Sequence, residues 1–200
     1  IKHYNYSKEY IIWSVEKSLK DLHTPYLDLL LLHRPSPLMH PNEIAAAVSV
    51  LKESGKILDF GVSNFSPSQL SLLDNKTAVS VNQIEFSLTQ HSAMHNGVLD
   101  QLLQKEVIPM SWSPLGGFFK EATKTNTRIK KVLDTFTNKY NATEDQILLA
   151  WILKHPSGVI PVVGTTSKVR LQNAVKALDI ELDLEDWFTL LVECQGHKVP

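Results

Sequence analysis

Five polar clusters carry side chains able to do chemistry, and each follows an apolar run. His33-Arg34 follows residues 26–32, and Ser63-Asn64 follows residues 57–62. Gln83 and Glu85 close the run 78–84, Trp112-Ser113 the run 107–112, and Gly164-Thr165-Thr166 the run 159–163. The imidazole of His33 suits hydrogen bonding to a substrate oxygen or acid/base work. Equally, it suits a histidine satisfied by backbone at a strand end. Ser63, Asn64 and Gln83 offer a hydroxyl and two carboxamides, which pair with a ligand carboxamide or carbonyl. The same residue types also serve as plain turn chemistry. Trp112 can stack on a flat ring or fill the core. Gly116 and Gly117 after it let backbone approach a ligand. Gly164-Thr165-Thr166-Ser167 leads into a helix start, where backbone N–H groups suit a phosphate. Arg170, in the first turn, adds a bidentate donor.

The elements that position these clusters follow from periodicity. The five apolar runs have strand length and read as strands buried on both faces. Helical patterns fill the gaps. Ser7 caps a helix with Ile11, Ile12, Val15, Leu19 and Leu22 on its apolar face, and Asn42 is expected to cap the next, which stops at Gly55. Ser66-Pro67-Ser68-Gln69 has the form of a capping box with proline at the first helical position. Thr143 with Gln146 repeats that form, and Ser167 and Asp183 read as two further caps. Two helices occupy the gap between the fourth and fifth strands. The polar, threonine-rich segment 120–128 is expected to be a mobile loop. The order αβαβαβαβ-αα-βα, plus a C-terminal helix, implies parallel strands with right-handed crossovers in a single domain over residues 1–200. In such sheets, ligands bind at the carboxyl ends of strands, where all five polar clusters lie.

Composition narrows the function classes. The chain has 200 residues, 43% of them hydrophobic and 20% charged, with a formal net charge of −1. A chain of that make-up buries a core, and it lacks the basic field that nucleic acid requires. One cysteine, Cys194, builds no disulfide framework and fits a reducing, cytoplasmic setting. No apolar run reaches the ~18 residues of a membrane span. The start at Ile1, without methionine or signal pattern, reads as that of a fragment. No metal site is expected, because His91 and His95 lack a third ligand. G-x-G-x-x-G, P-loop and G-x-S-x-G patterns are absent. Trp13, Trp151 and Trp187 fall on helical faces and read as core residues, and Cys194 as a packed or surface thiol.

Taken together, these motifs resemble the aldo-keto reductase family over essentially the whole chain. Tyr26-Leu27-Asp28-Leu29-Leu30-Leu31-Leu32-His33-Arg34-Pro35 is similar to its fourth barrel strand. Ser54 to Phe65, with Gly61-Val62-Ser63-Asn64-Phe65 at its end, is similar to its fifth strand and the helix end before it. Val81-Asn82-Gln83-Ile84-Glu85, Trp112-Ser113-Pro114-Leu115-Gly116 and Ile160-Pro161-Val162-Val163-Gly164-Thr165-Thr166 resemble its sixth, seventh and eighth strands. The Trp187-Phe188 helix and the ending Gly196-His197-Lys198-Val199-Pro200 resemble a bacterial oxidoreductase branch. The resemblance implies an α/β fold, a parallel (β/α)8 TIM barrel lacking here its first three β/α units. It implies an NADPH-dependent oxidoreductase that reduces aldehydes or ketones to alcohols, with a small-molecule carbonyl substrate. His33 would orient the carbonyl as the active-site histidine. Ser63, Asn64 and Gln83 would hold the nicotinamide carboxamide, and Trp112 would stack on its ring. Ser113, Leu115 and Gly117 would follow the pyrophosphate. Gly164, Thr165, Thr166, Arg170 and Asn173 would serve the adenosine end, with Arg170 on the 2′-phosphate. The family's catalytic Asp, Tyr and Lys belong to the first three units, so the chain by itself is expected to be inactive. The alternative is a non-catalytic nucleotide-binding or scaffolding module of the same fold.

Overall fold

A computed structural model describes residues 1 and 3–199. Lys2 and Pro200, the latter closing the C-terminal motif, lie outside the described residues. The chain divides into two compact units, Ile1–Ile84 with Gln101–Ile108, and Glu85–Asp100 with Pro109–Pro200.

The first unit holds α1 (Lys8–Leu22), β1 (Leu27–Leu32), α2 (Pro41–Glu53), β2 (Ile57–Ser63), α3 (Pro67–Asp74) and most of β3 (Val81–Glu85). β1 pairs with β2 and β2 with β3, both parallel, in a register that sets Leu32 beside Val62 and Ser63 beside Gln83. Crossover helices return the chain each time, as parallel pairing demands. Ile44, Leu51, Ile57, Phe60, Val62, Phe65 and Leu70 are fully buried beneath them. Gly61 sits where the strands come closest. A Cβ there would lie 2.6 Å from a Leu31 methyl and 2.7 Å from the Val81 carbonyl oxygen.

α4 (Val98–Gln104) begins in the second unit and ends in the first, while β4 (Ile108–Trp112) begins in the first and continues in the second. The second unit goes on with α5 (Lys124–Lys139), α6 (Glu144–Leu153), β5 (Ile160–Pro161), α7 (Lys168–Val175) and α8 (Leu184–Gln195). β4 and β5 pair in parallel, Met110 beside Ile160. α6 is buried from Gln146 to Ile152. Its Trp151 and Trp187 of α8 stack 4.8 Å apart and nearly parallel. Each indole N–H donates to the other residue's carbonyl, at 3.1 and 2.9 Å.

The caps at Ser7, Ser66 and Thr143 form as read, the latter two as full capping boxes. Several expectations need correction. α2 is capped by His40, not Asn42, because Pro41 has the fixed φ and missing N–H that suit the first helical position. β1 is not buried on both faces: Asp28 is exposed and Leu29, Leu30 and Leu31 are half-buried. Among the described residues β1 pairs with β2 on one side, and a cavity of about 370 Å³ flanks it, lined by Leu30, Leu31, Leu32 and α1. Trp13 is 53% exposed on α1, its ring tilted against Tyr10 with Lys17 over it, so among the described residues only Trp151 is a fully buried tryptophan. Half of segment 120–128 belongs to α5. Thr123 caps that helix, and the Asn126 side-chain amide donates to the carbonyls of Gly117, Phe118 and Glu121. β5 is shorter than the run 159–163, since Pro161 has no N–H to give the ladder. The buried Cys194 thiol donates to the Leu88 carbonyl, and burial pushes its pKa up.

Two stability outcomes follow. Gly61→Ala should cost about 1–3 kcal/mol by urea unfolding, because the added methyl meets backbone that cannot yield. His155 lies edge-on to Phe86, and its burial holds its pKa below the ordinary 6.5. The unfolded chain therefore binds more protons here below pH 6.5. This contribution is complete above that pH and is lost as pH falls through the lowered value. Unfolding midpoints between pH 7.5 and 5 should decline less steeply in His155→Gln than in the parent chain.

Candidate functional site

In the first unit, the ends of β2 and β3 build one connected group. The Ser63 hydroxyl donates to the Gln83 carbonyl at 2.9 Å, and the Asn64 amide N–H donates to the same oxygen at 2.8 Å. The Asn64 side-chain amide donates to Ser63 Oγ at 2.8 Å. Asn64 has φ +60°, the left-handed region that asparagine tolerates better than most residues. That turn takes the chain off the strand and into the Ser66 cap. Ser63 is buried, while Asn64 and Gln83 are half-buried. The Gln83 carboxamide makes no hydrogen bond among the described residues. It thus keeps two donors and one acceptor for a partner of the same kind.

His33 follows β1 in the same unit and is exposed. It lines the cavity beside β1 together with Tyr4 and Tyr6.

In the second unit, Ser113, Leu115, Gly164, Thr165 and Arg170 line one cavity of about 350 Å³. A Cβ at Gly164 would meet nothing within 4 Å. Ser167 caps α7, accepting from the Arg170 N–H, and places Arg170 in the first turn. The Arg170 guanidinium has no hydrogen bond or ion pair among the described residues. Lys120 and Asp145 line the same cavity. Sequence reasoning missed both. It placed Lys120 in a loop and did not single out Asp145.

Gly117 lines a neighbouring cavity of about 460 Å³, with Glu85, Thr89 and Glu121. Gly116 lines both of these cavities. Gly116 has φ +54°, and a Cβ on it would lie 2.0 Å from Thr89 Oγ1 and 2.6 Å from Ser87 Oγ. Its bareness serves packing within the protein. The Gly117 N–H donates to Thr89 Oγ1 at 3.2 Å. Trp112, half-buried at the end of β4, lines neither of these two cavities, nor do Thr166 and Asn173. The Asn173 carbonyl accepts from the Gln146 side chain at 2.9 Å. Among the described residues, no three or more His, Cys, Asp or Glu converge as metal ligands, and no helix is long and apolar enough to cross a membrane.

Polar residues at the ends of parallel strands are the arrangement in which barrel-type α/β enzymes carry their sites. The model of the aldo/keto reductase family matches residues 1–191, and the chain belongs to that family. An oxidoreductase of Bacillus subtilis, named "Uncharacterized oxidoreductase YcsN", is 40% identical, the match covering 99% of this chain and 68% of that protein. "Oxidoreductase YdhF" of Escherichia coli is 38% identical, over 100% and 68%. A 6-dehydroglucose reductase of Agrobacterium fabrum is 37% identical, over 100% and 67%. The crystal structure of the thermostable aldo-keto reductase Tm1743 with the inhibitor epalrestat superposes with a TM-score of 0.85 at 28% identity, covering 94% of this chain and 67% of that one. The chain thus spans about two thirds of the length of these relatives.

The family works with nicotinamide dinucleotides, and the donor sets fit that group. An unpartnered carboxamide at Gln83 suits a nicotinamide carboxamide. An unpartnered guanidinium at Arg170, beside an open Gly164, suits a phosphate.

Ser63→Ala should destabilise the chain by about 1–3 kcal/mol, since it strips a part-buried carbonyl of one donor and the Asn64 side-chain amide of one acceptor. In an amide NMR spectrum, the signals of Asn64 and Gln83 should move most.

Proposed function

We propose that this protein is the NADPH-binding part of a carbonyl reductase that turns aldehydes or ketones into alcohols. The observation that carries the reading is the Arg170 guanidinium, without a hydrogen bond or ion pair among the described residues, on a cavity that Gly164 also lines. Arg170, Thr165 and the first turn of α7 receive the phosphate end, Arg170 taking the 2′-phosphate. Gln83 reads the nicotinamide carboxamide, with Ser63 and Asn64 holding its backbone. Trp112 offers its ring to the nicotinamide face. When bound, the reduced nicotinamide supplies the hydride for the substrate carbonyl. His33 orients the carbonyl oxygen by hydrogen bonding. Relatives named for reducing 6-dehydroglucose and methylglyoxal support a carbonyl substrate class. The 200-residue chain by itself does not turn over, because none of Tyr4, Tyr6 and Tyr10 matches the family's catalytic tyrosine motif.

NADPH fluorescence titration of the purified chain tests the reading. NADPH should bind more tightly than NADH or ATP. Arg170→Ala should weaken NADPH by about 1–2 kcal/mol, on the order of tenfold in Kd, and leave NADH nearly unchanged, the exposed site discounting the full value of a charged hydrogen bond. Equal, weak binding of all three nucleotides would overturn it. Aldehyde-dependent NADPH oxidation by the chain alone should be absent, and brisk turnover would refute the assignment of catalysis to residues other than these.

A further inference from the structure

The N-terminal tyrosines match no family motif, yet one of them engages the chain beside His33. The Tyr6 hydroxyl donates to the Arg34 carbonyl and accepts from the Arg34 N–H at 3.3 Å. A single side chain thus holds both backbone groups of the residue that follows the histidine, across 28 positions of sequence. The Arg34 N–H belongs to the peptide plane that leaves His33, so anchoring it fixes the His33 ψ angle. The Arg34 carbonyl belongs to the plane that enters Pro35, and the proline already confines Arg34 to extended conformations. Together these restrict the backbone on the carboxyl side of the imidazole from two directions. Upstream, His33 follows directly on the β1 ladder, where Leu32 pairs with Val62.

Tyr6 is itself braced. The next residue, Ser7, caps α1, and its N–H donates to the Asn5 side chain at 3.0 Å. The Lys8 N–H donates to Glu43 of α2 at 3.0 Å. The Tyr4 ring stacks against Tyr6 at 6.3 Å. Half-burial pushes the phenol pKa up, so the hydroxyl keeps its donor proton throughout the neutral range. The His33 ring makes no hydrogen bond among the described residues, so its aim depends on its backbone and its χ angles.

We propose that Tyr6 is a positioning residue for His33, its phenol oxygen clamping both backbone groups of Arg34 and so setting the direction of the imidazole. The catalytic meaning of that aim rests on the reading of His33 as the group that orients the carbonyl; the clamp itself does not.

The test is histidine-ring and amide NMR on the full chain, with the His33 signals assigned through His33→Gln. In the parent chain, the Arg34 amide should exchange with solvent slowly. Tyr6→Phe should displace the His33 ring signals and speed exchange at Arg34, while the signals of unit-two histidines such as His155 stay in place. Tyr10→Phe is the control: Tyr10 lines the same cavity, but its hydroxyl makes no hydrogen bond among the described residues. It should move neither signal. An Arg34 amide that exchanges freely in the parent chain overturns the proposal without any variant, even if Tyr6→Phe does not fold. Unmoved His33 ring signals in a folded Tyr6→Phe overturn it as well. NADPH titration of the same samples keeps the two readings apart. Loss of binding in the parent chain speaks against the oxidoreductase reading, and displaced His33 signals speak for the clamp whatever that titration shows.

Discussion

The carbonyl oxygen of Gln83 holds the first unit's polar group together. It accepts the Ser63 hydroxyl and the Asn64 N–H at once, which is possible only because β2 and β3 run parallel with Ser63 beside Gln83. A shift of one residue would turn each of these side chains to the other face of its strand. The Gln83 carboxamide makes no hydrogen bond among the described residues. Gly61 guards the same register from below, since a larger residue would push β2 off both neighbours.

The second unit reaches its site by different means. α6 is buried almost along its whole length and ties itself to α8 through the paired tryptophans. α7 has no buried residue, and its first turn carries Arg170 at a cavity edge. The Arg170 guanidinium is exposed and makes no hydrogen bond or ion pair among the described residues. Asp145 lines the same cavity and accepts from the Thr143 hydroxyl.

Much of this was legible from residue types. Parallel α/β order, strand-end polar clusters and the Ser66 and Thr143 capping boxes follow from short-range rules of periodicity and hydrogen bonding, and they appear in the structure at the expected residues. The misreadings share a cause. Asn42, segment 120–128 and Trp13 were judged by local propensity, and their outcomes were set by Pro41, by the fan of hydrogen bonds from Asn126, and by what packs on α1. The packing demand on Gly116 was hidden for the same reason, because Ser87 and Thr89 are distant in sequence and close in space.

By itself, the sequence determined the order of elements, the polar clusters at the carboxyl ends of the strands and the family. These depend on side-chain type and spacing along the chain. Tertiary structure decided which polar groups satisfy one another. It showed the Ser63 hydroxyl on the Gln83 carbonyl, the Gly117 N–H on Thr89, and Tyr6 bound to the backbone beside His33. A hydrogen-bond partner is chosen by distance in space, and contacts such as the one across 28 residues leave no local pattern in the chain.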